Sequence, residues 1–337
     1  ARFGVLALLF CVGGSDAFLS LQPRVSFSHA PKSASTRTMP SMLVGVPKQV
    51  LVTGASGRTG FLVFQKLREM EKEFFVKGLV HSEKGAKQLE RTGASRGDSE
   101  AIKEQNEKLR KMGMPADDED PEVYMGDILD KASLEEPMEQ CDCLVIVTSG
   151  VPKLRKREIV KTVLAKMIGK QRMPKFYYDE MPEEVDWIGC KNQIDVAKEK
   201  GVEHIVLVSS MGVTPAKNTP ENTLNKIGGG DILVWKAKAE EYLREQGIDW
   251  TVIHPGGLLN KPGGERELVL GVNDELLDTF EDRGATRAIP REDVAELVVQ
   301  ALRYKDLVKN KSFDVVSKAP GDGKVTDDFY KLLSELP

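Results

Sequence analysis

The segment 50–60, VLVTGASGRTG, joins three apolar residues to a turn with glycines at positions 54, 57 and 60. Beyond the turn, Val63, Leu67 and Met70 have the spacing of one face of a helix. A buried strand, a glycine-rich turn and a helix in this order form the context in which such a turn binds a dinucleotide. The helix N-terminus presents free N–H groups and a partial positive charge to the phosphates. We therefore expect a nucleotide site here.

Each small residue of the turn has an expected role in that site. Gly54 permits the tight turn, Gly57 lets the backbone approach the diphosphate without a Cβ, and Gly60 lets the helix pack closely on the strand. Ser56 and Thr59 can add hydroxyl donors to the phosphates.

Short, unbroken apolar runs alternate with helical patterns along the rest of the chain, which predicts strands buried on both faces of a parallel sheet. The fold class is therefore α/β, a doubly wound and mostly parallel sheet (Rossmann fold), in a single domain with charged insertions. The predicted strands are Val50–Val52, Val76–Val80, Val123–Met125, Cys143–Val147, Ile205–Val208, Trp250–Ile253 and Phe313–Val316.

Two charged insertions, 84–120 and 153–182, interrupt this rhythm. We interpret the first as a solvated helix and loop at the edge of the sheet. Within the second, residues 153–175 contain nine Lys or Arg and one Glu, and Ile159, Val163 and Met167 mark an amphipathic face. Two interpretations stay open: a surface helix whose apolar side is docked on the body, or a basic lid or docking surface for an acidic protein partner.

The first 43 residues have the composition of targeting segments. Residues 1–17 contain a short apolar run followed by small residues, as in a signal peptide, and residues 18–43 are rich in Ser and Pro and lack acids, as in a plastid transit peptide. Together they resemble the bipartite presequence of algae with secondary plastids, which predicts the plastid stroma. A disordered tail, or secretion to the ER, is the alternative. The Rossmann domain would then be 44–337.

Overall charge and cysteine usage exclude several classes of function. The formal net charge is −4, which argues against bulk nucleic-acid binding. Beyond the N-terminal run, no stretch is long and apolar enough to predict a membrane span. The four cysteines lack the spacing of a zinc site, so we expect no metal and mainly buried thiols, with a redox role as the alternative.

The spacing G-x-x-G-x-x-G of Gly54, Gly57 and Gly60, together with the sequence TGASG (53–57), resembles the short-chain dehydrogenase/reductase superfamily. GDILD (126–130), VIVTSG (145–150), VDWIGCKNQIDVAKEKG and ILVWKAKAEEYL are similar to its atypical, NmrA-like branch of NAD(P)-binding plastid proteins. The resemblance implies that Asp127 and Ile128 contact adenine. It also implies that Thr148 and Ser149, at the end of the fourth strand, lie alongside the ribose and phosphates. Pro255 would begin a turn near the nicotinamide.

The end of the second strand indicates the cofactor. An NAD-preferring fold has Asp or Glu there to hold the ribose 2′-OH, but this strand is followed by His81 and Ser82, with Glu83 slightly late. Arg58 in the glycine loop can reach a 2′-phosphate or stack on adenine. The sequence therefore favours NADP over NAD.

Catalysis is less completely specified. Members of the superfamily use a Tyr-x-x-x-Lys pair and a Ser. Lys236 matches the Lys, and it would also hold the nicotinamide ribose, but Ile232 stands in place of the Tyr. Ser209 and Ser210 lie near the place of the Ser and could polarise a carbonyl. Besides a purely structural stromal protein, which an intact phosphate loop disfavours, two functions remain open. One is an NADPH-dependent oxidoreductase acting on a small carbonyl, enone or quinone-like substrate without the Tyr. The other is a non-catalytic NADP(H)-sensing regulator or scaffold.

Overall fold

The computed structural model describes residues 48–96, 122–170, 172, 174–219 and 222–336. The predicted signal and transit segments, 1–43, lie outside the described residues, and so does the charged stretch from residue 97 to residue 120.

Eight strands form one central sheet, because apolar runs such as VLV at 50–52 are buried on both faces. All seven strands predicted from the sequence are present in it. The strands in chain order are β1 (Lys48–Thr53), β2 (Phe74–Val80), β3 (Val123–Met125), β4 (Cys143–Ile146), β5 (Lys153–Leu154), β6 (Phe176–Tyr177), β7 (His204–Val208), β8 (Asp249–Pro255), β9 (Gly257–Leu259), β10 (Leu268–Gly271), β11 (Ala288–Pro290) and β12 (Lys311–Ser317).

The sheet has the order β10-β12-β8-β7-β4-β1-β2-β3. Every neighbouring pair is parallel except β10 and β12 at one edge. The order reverses direction between β1 and β4, which is the crevice where doubly wound sheets bind ligands. Two small pairs lie outside the sheet: β5 with β6, antiparallel, and β9 with β11, parallel.

Helices cover both faces of the sheet, which confirms the doubly wound α/β class. The described helices are α1 (Gly60–Arg68), α2 (Glu83–Glu90), α3 (Ala132–Met138), α4 (Lys156–Met167), α5 (Cys190–Glu199), α6 (Thr223–Lys226), α7 (Ile232–Arg244), α8 (Leu276–Thr279), α9 (Arg291–Arg303), α10 (Lys305–Val308) and α11 (Phe329–Ser334). Helices α1, α2, α9 and α11 share one apolar core, and α3, α5 and α7 share the core of the opposite face. A π-helical turn, Glu183–Gly189, leads into α5.

Two expectations about the insertions need correction. Residues 84–90 are not an insertion: they belong to α2, the second helix of the βαβ unit, where Ala86 and Leu89 are fully buried. The apolar side of α4 is not docked on the body, since Val163 and Met167 are exposed. None of the described helices combines the length and the apolar composition that a bilayer span needs.

Candidate active site

The glycine turn between β1 and α1 has the shape that the sequence predicts. Gly54 has φ +69°, and its carbonyl oxygen accepts a hydrogen bond from Gly57 N at 2.8 Å. A Cβ at Gly57 would lie 3.0 Å from that oxygen, and a Cβ at Gly60 would collide with it. The side chain of Thr59 makes no capping hydrogen bond, and the first turn of α1 contains no acid. The exposed loop residue Arg58 adds a positive charge. The turn therefore fits a dinucleotide diphosphate.

The carboxyl end of β4 brings a further predicted segment, Thr148 and Ser149, beside this turn. Thr148 contacts it: its Cγ2 lies 3.2 Å from the point where a Cβ on Gly54 would stand. Thr148 Oγ1 accepts a hydrogen bond from Gln193 at 3.3 Å, and Ser149 follows, half-buried. Ser56 faces the start of α2, 2.8 Å from the Cβ position of Gly85. These side chains share one edge of the sheet because the strands are parallel.

The turn after β3, predicted to contact adenine, is held rigidly. Asp127 Oδ1 accepts a hydrogen bond from Leu129 N at 2.9 Å, and Asp127 N donates to Ser133 Oγ at 2.9 Å. Ile128 packs so closely on Gly189 that a Cβ there would lie 2.5 Å from Ile128 Cδ1. The main chain of this turn is thus fixed at the same edge of the sheet.

The residues after β2 contact other side chains of the protein. His81 is exposed, and its Nε2 lies 3.7 Å from Glu180 Oε1. Ser82 caps α2, where its hydroxyl accepts from Gly85 N at 3.3 Å. Glu83 is 3.0 Å from Arg96, and the hydrogen bond from Arg96 lowers the pKa of Glu83. The carboxylate of Glu83 is therefore already paired.

Lys236 on α7 is buried at the end of β4. Its Nζ lies 2.8 Å from Asp186 Oδ1, and the Lys236 side chain is 10% exposed. Asp186 stands in the π-helical turn, and its second oxygen accepts a hydrogen bond from Gly150 N at 2.8 Å. Lys236 is thereby held to the strand end that carries Thr148, while Ile232 stands one turn earlier on α7.

Ser209 belongs to a buried polar network beneath Lys236. Its Oγ donates to Glu240 Oε1 at 2.5 Å, and the same oxygen lies 3.0 Å from His254 Nε2. His254 Nδ1 lies 3.2 Å from Asp314 Oδ1. Burial disfavours the imidazolium, but the Glu240 carboxylate and the hydrogen bonds to Asp314 and Glu240 outweigh it and raise the pKa of His254 to about 9. The guanidinium of Arg244 also pairs with the Glu240 carboxylate, at 2.8 Å.

The two predicted serines therefore differ. The hydroxyl of Ser209 is committed to Glu240, whereas Ser210, half-buried, donates to Met211 O at 3.0 Å. Pro255 ends β8 beside them, and its carbonyl accepts from Met211 N at 3.2 Å. A cavity of about 10 Å³, which holds at most one water, is lined by Thr148, Asp186, Cys190, Leu207, Ser209, Lys236 and Ala239.

Sequence reasoning missed three residues of this region: Asp186, Glu240 and Tyr178. Tyr178 Oη donates to Ile227 O at 3.2 Å, and burial followed by the charge of Asp186 raises the pKa of Tyr178 to about 12. One signal could have found Glu240. Glu240 falls on the same face of α7 as Leu233, Lys236 and Leu243. An acid and a lysine on the otherwise apolar face of a helix indicate a buried polar contact.

The buried thiols behave as predicted. Burial raises the pKa of Cys141 to about 11 and the pKa values of Cys143 and Cys190 to about 12, so none is a ready thiolate. Within the ranges that the structure covers, no group of three or more His, Cys, Asp or Glu side chains could hold a metal.

Comparison with known proteins gives the family. Residues 95–305 match the family described as NAD(P)H-binding. The chain is 44% identical over 301 residues to sanguinarine reductase of Eschscholzia californica, a match that covers 85% of this chain and 95% of that protein. It is also 44% identical over 292 residues to an uncharacterised chloroplastic protein of Arabidopsis thaliana, covering 86% and 76% respectively.

Solved structures share the fold at low sequence identity. A putative NAD-dependent epimerase/dehydratase from Bacillus halodurans superposes with a TM-score of 0.52 at 17% identity, over 86% of this chain and 100% of that one. An anaerobilin reductase from Escherichia coli O157:H7 gives 0.51 at 16% identity, over 83% and 100%.

These matches confirm the predicted class of protein. A nicotinamide dinucleotide is the cofactor of the family, and the sequence-based prediction of an oxidoreductase is confirmed at that coarse level. The chain belongs to the NAD(P)H-binding family, in the atypical, NmrA-like branch of the short-chain dehydrogenases/reductases whose motifs it carries.

Proposed function

We propose that this chain is a plastid NADPH-dependent reductase of a small carbonyl, enone or quinone-like substrate that works without the usual Tyr. The observation that carries the proposal is the buried Lys236–Asp186 pair, which stands at the same strand edge as the glycine turn. A lysine held there suits the nicotinamide ribose. A protein that only needed a folded core would gain little from a buried ion pair, because desolvation offsets most of its attraction.

The cofactor is proposed to be NADP rather than NAD. Glu83, which follows the end of β2, is already paired with Arg96 and Lys87. Arg58 and His81 are exposed around that position and can approach a 2′-phosphate.

Bound NADPH supplies a hydride, and the chain supplies charged and hydrogen-bonding groups that orient the reactants. Lys236 places a positive charge at the end of β4, with Asp186 fixing its ammonium group. Ser209 is buried and donates to Glu240, whereas Ser210 is half-buried and would have to leave the carbonyl oxygen of Met211 to donate a hydrogen bond to a substrate oxygen. Tyr178 keeps its proton at neutral pH and can act only as a hydrogen-bond donor. The proton source is therefore proposed to be water or a group of the substrate.

Plastid localisation is proposed on two grounds. Residues 18–43 have the composition of a transit peptide, and the similar Arabidopsis protein is chloroplastic. Residues 1–17 add the signal segment of a bipartite presequence, with the stroma as the destination.

A second function, a non-catalytic NADP(H)-sensing regulator or scaffold, is favoured by a specific observation. The cavity beside Lys236 has a volume of only about 10 Å³, and Ser209 turns its hydroxyl inward to Glu240. A site of this size admits no organic substrate unless neighbouring groups move.

The test is NADPH oxidation with a panel of carbonyl, enone and quinone acceptors, including sanguinarine, the compound in the name of the similar reductase. The reductase proposal predicts turnover that Lys236→Met lowers at least tenfold. The matched control is Lys238→Met, an exposed lysine on the same helix, which should retain activity. Tight NADPH binding with no turnover of any acceptor would instead establish the sensor.

A further inference from the structure

Helix α4 presents its apolar side to solvent, the reverse of an ordinary surface helix. Its apolar side chains recur at intervals of three and four residues and so lie on one side of the helix. All are exposed, from 44% for Ile159 to 78% for Met167. The set, named here the apolar stripe, comprises Ile159, Val160, Val163, Leu164, Met167 and the adjoining Ile168.

The opposite side of α4 is polar, and there Glu158 is buried beneath side chains of the same segment. Glu158 is buried, with Lys161 at 3.3 Å and Arg172 at 2.8 Å from its oxygens. Burial alone would raise the pKa of Glu158, but the hydrogen bond from Lys161 and the charges of Lys161 and Arg172 lower it. Thr162 Oγ1 donates to Glu158 O at 2.8 Å on the same side. These contacts tie α4 to the segment that follows it, on the side of the helix away from the apolar stripe.

The segment 153–177, named here the excursion, contains α4 and is held at its two ends by β5 and β6. β5 pairs with β6, Lys153 forms an ion pair with Asp179, and the Arg155 guanidinium lies 4.8 Å from the centre of the Tyr177 ring. The excursion therefore begins and ends near one point, just after β4.

Charge indicates what covers the stripe. Residues 153–175 contain nine Lys or Arg, and their one acid, Glu158, is neutralised internally. Lys156 and Arg157 at the start of α4, and Lys170 after its end, are exposed beside the stripe. The surface that meets this helix must therefore be apolar at its centre and anionic around it.

We propose that α4 docks on an anionic lipid surface, lying in the plane of the interface with the apolar stripe at the acyl boundary. A short helix with aliphatic residues on one side and cations around them has the form of an interfacial helix. The stripe contains no aromatic residue and six of the nine cations are lysines, whereas protein interfaces are rich in aromatics and poor in Lys. Basic residues near an anionic leaflet each add attraction.

The experiment is flotation of the full chain with vesicles of phosphatidylcholine alone or of phosphatidylcholine mixed with phosphatidylglycerol. We expect binding to the anionic vesicles, at least tenfold weaker binding to the neutral ones, and loss of binding at high salt. Val160→Glu combined with Val163→Glu should weaken binding to anionic vesicles at least tenfold. The matched control, Val325→Glu, changes an exposed valine elsewhere and should bind as the unaltered chain does.

Other outcomes overturn the proposal. Equal binding of the double variant and the unaltered chain would place any lipid affinity outside α4. Failure to bind either vesicle, with salt-sensitive binding to immobilised polyglutamate, would assign the surface to an acidic protein. A dimer in sedimentation velocity that the double variant abolishes would assign it to a second copy. NADPH titration of each variant shows that the fold is intact, and it separates this proposal from the proposed reductase activity.

Discussion

Lys236 Nζ and Asp186 Oδ1 lie 2.8 Å apart in the interior, joining α7 to the π-helical turn before α5. The same carboxylate accepts the N–H of Gly150, so one acid connects a helix, a turn and the end of β4. Because the resemblance implies that Lys236 holds the nicotinamide ribose, we propose that this pair links the stability of the fold to the geometry of the site.

Replacing Asp186 tests that link. Asp186→Asn keeps the size and an acceptor for Gly150 N, but it leaves the Lys236 ammonium without a counter-charge. Breaking a buried pair from one side is costly, and we expect the free energy of unfolding to fall by about 2–4 kcal/mol. Urea denaturation at neutral pH measures the change.

The control for this variant is an exposed pair of similar geometry. Lys217 and Asp278 are 2.6 Å apart, but the Asp278 side chain is 67% exposed. Asp278→Asn should cost less than about 1 kcal/mol because water screens the pair. Equal losses in the two variants would show that Lys236 is not held by Asp186 in solution.

The His254 network predicts a stability that depends on pH. The pKa of His254 rises from 6.5 to about 9 on folding, so between these values the folded protein binds more protons than the unfolded chain. This contribution to stability is complete below pH 6.5 and is lost as pH rises through about 9, by roughly 2–3 kcal/mol.

Urea denaturation at pH 6.5, 7.5 and 9 measures this slope. Glu240→Gln removes the acid that chiefly raises the pKa of His254 and should flatten the dependence. His81→Gln, which alters an exposed histidine beside Glu180, should leave it unchanged. A stability that increases with pH over this range, or an unaltered slope in Glu240→Gln, contradicts the role of the network.

Gly60 should tolerate no side chain. An added Cβ would collide with the Gly54 carbonyl oxygen, so Gly60→Ala must displace the turn that cradles the diphosphate. We expect at least a tenfold loss of NADPH affinity, measured by titration. Gly93→Ala is the control: its φ of +87° makes alanine strained, yet nothing lies within 4 Å. It should lower stability by about 1–2 kcal/mol and leave NADPH affinity unchanged.

Arg58 should set the preference between the two dinucleotides. Arg58→Ala is expected to weaken NADPH binding about tenfold, or about 1.4 kcal/mol, with little change for NADH, which lacks the 2′-phosphate. Arg91→Ala removes an exposed arginine after the far end of α2 and should affect neither. Tighter binding of NADH than NADPH by the unaltered protein would overturn the proposed preference.

Local patterns in the sequence predicted the fold well. VLVTGASGRTG specifies a strand, a turn and a helix through contacts between near neighbours, and the other buried strands are short, unbroken apolar runs.

The parts that could not be predicted depend on contacts between distant segments. Nothing local to Asp186 indicates that it meets Lys236, because the pairing is made by the packing of α5 and α7 on the sheet. The sequence left open whether the apolar side of α4 is docked or exposed, and in the structure it is exposed. An amphipathic pattern predicts two unlike faces, but it does not show which of them the rest of the chain covers.

We propose that the main chain after Thr53 holds the diphosphate of a pyridine dinucleotide, and calorimetry measures that binding directly. The purified protein is titrated with NADPH, NADH and their oxidised forms, and the titrations are repeated with Gly57→Asp, which places a carboxylate against the phosphates. We expect saturable heat with NADPH, and we expect Gly57→Asp to abolish it. No heat with any of the four dinucleotides, or undiminished heat in the variant, would contradict it.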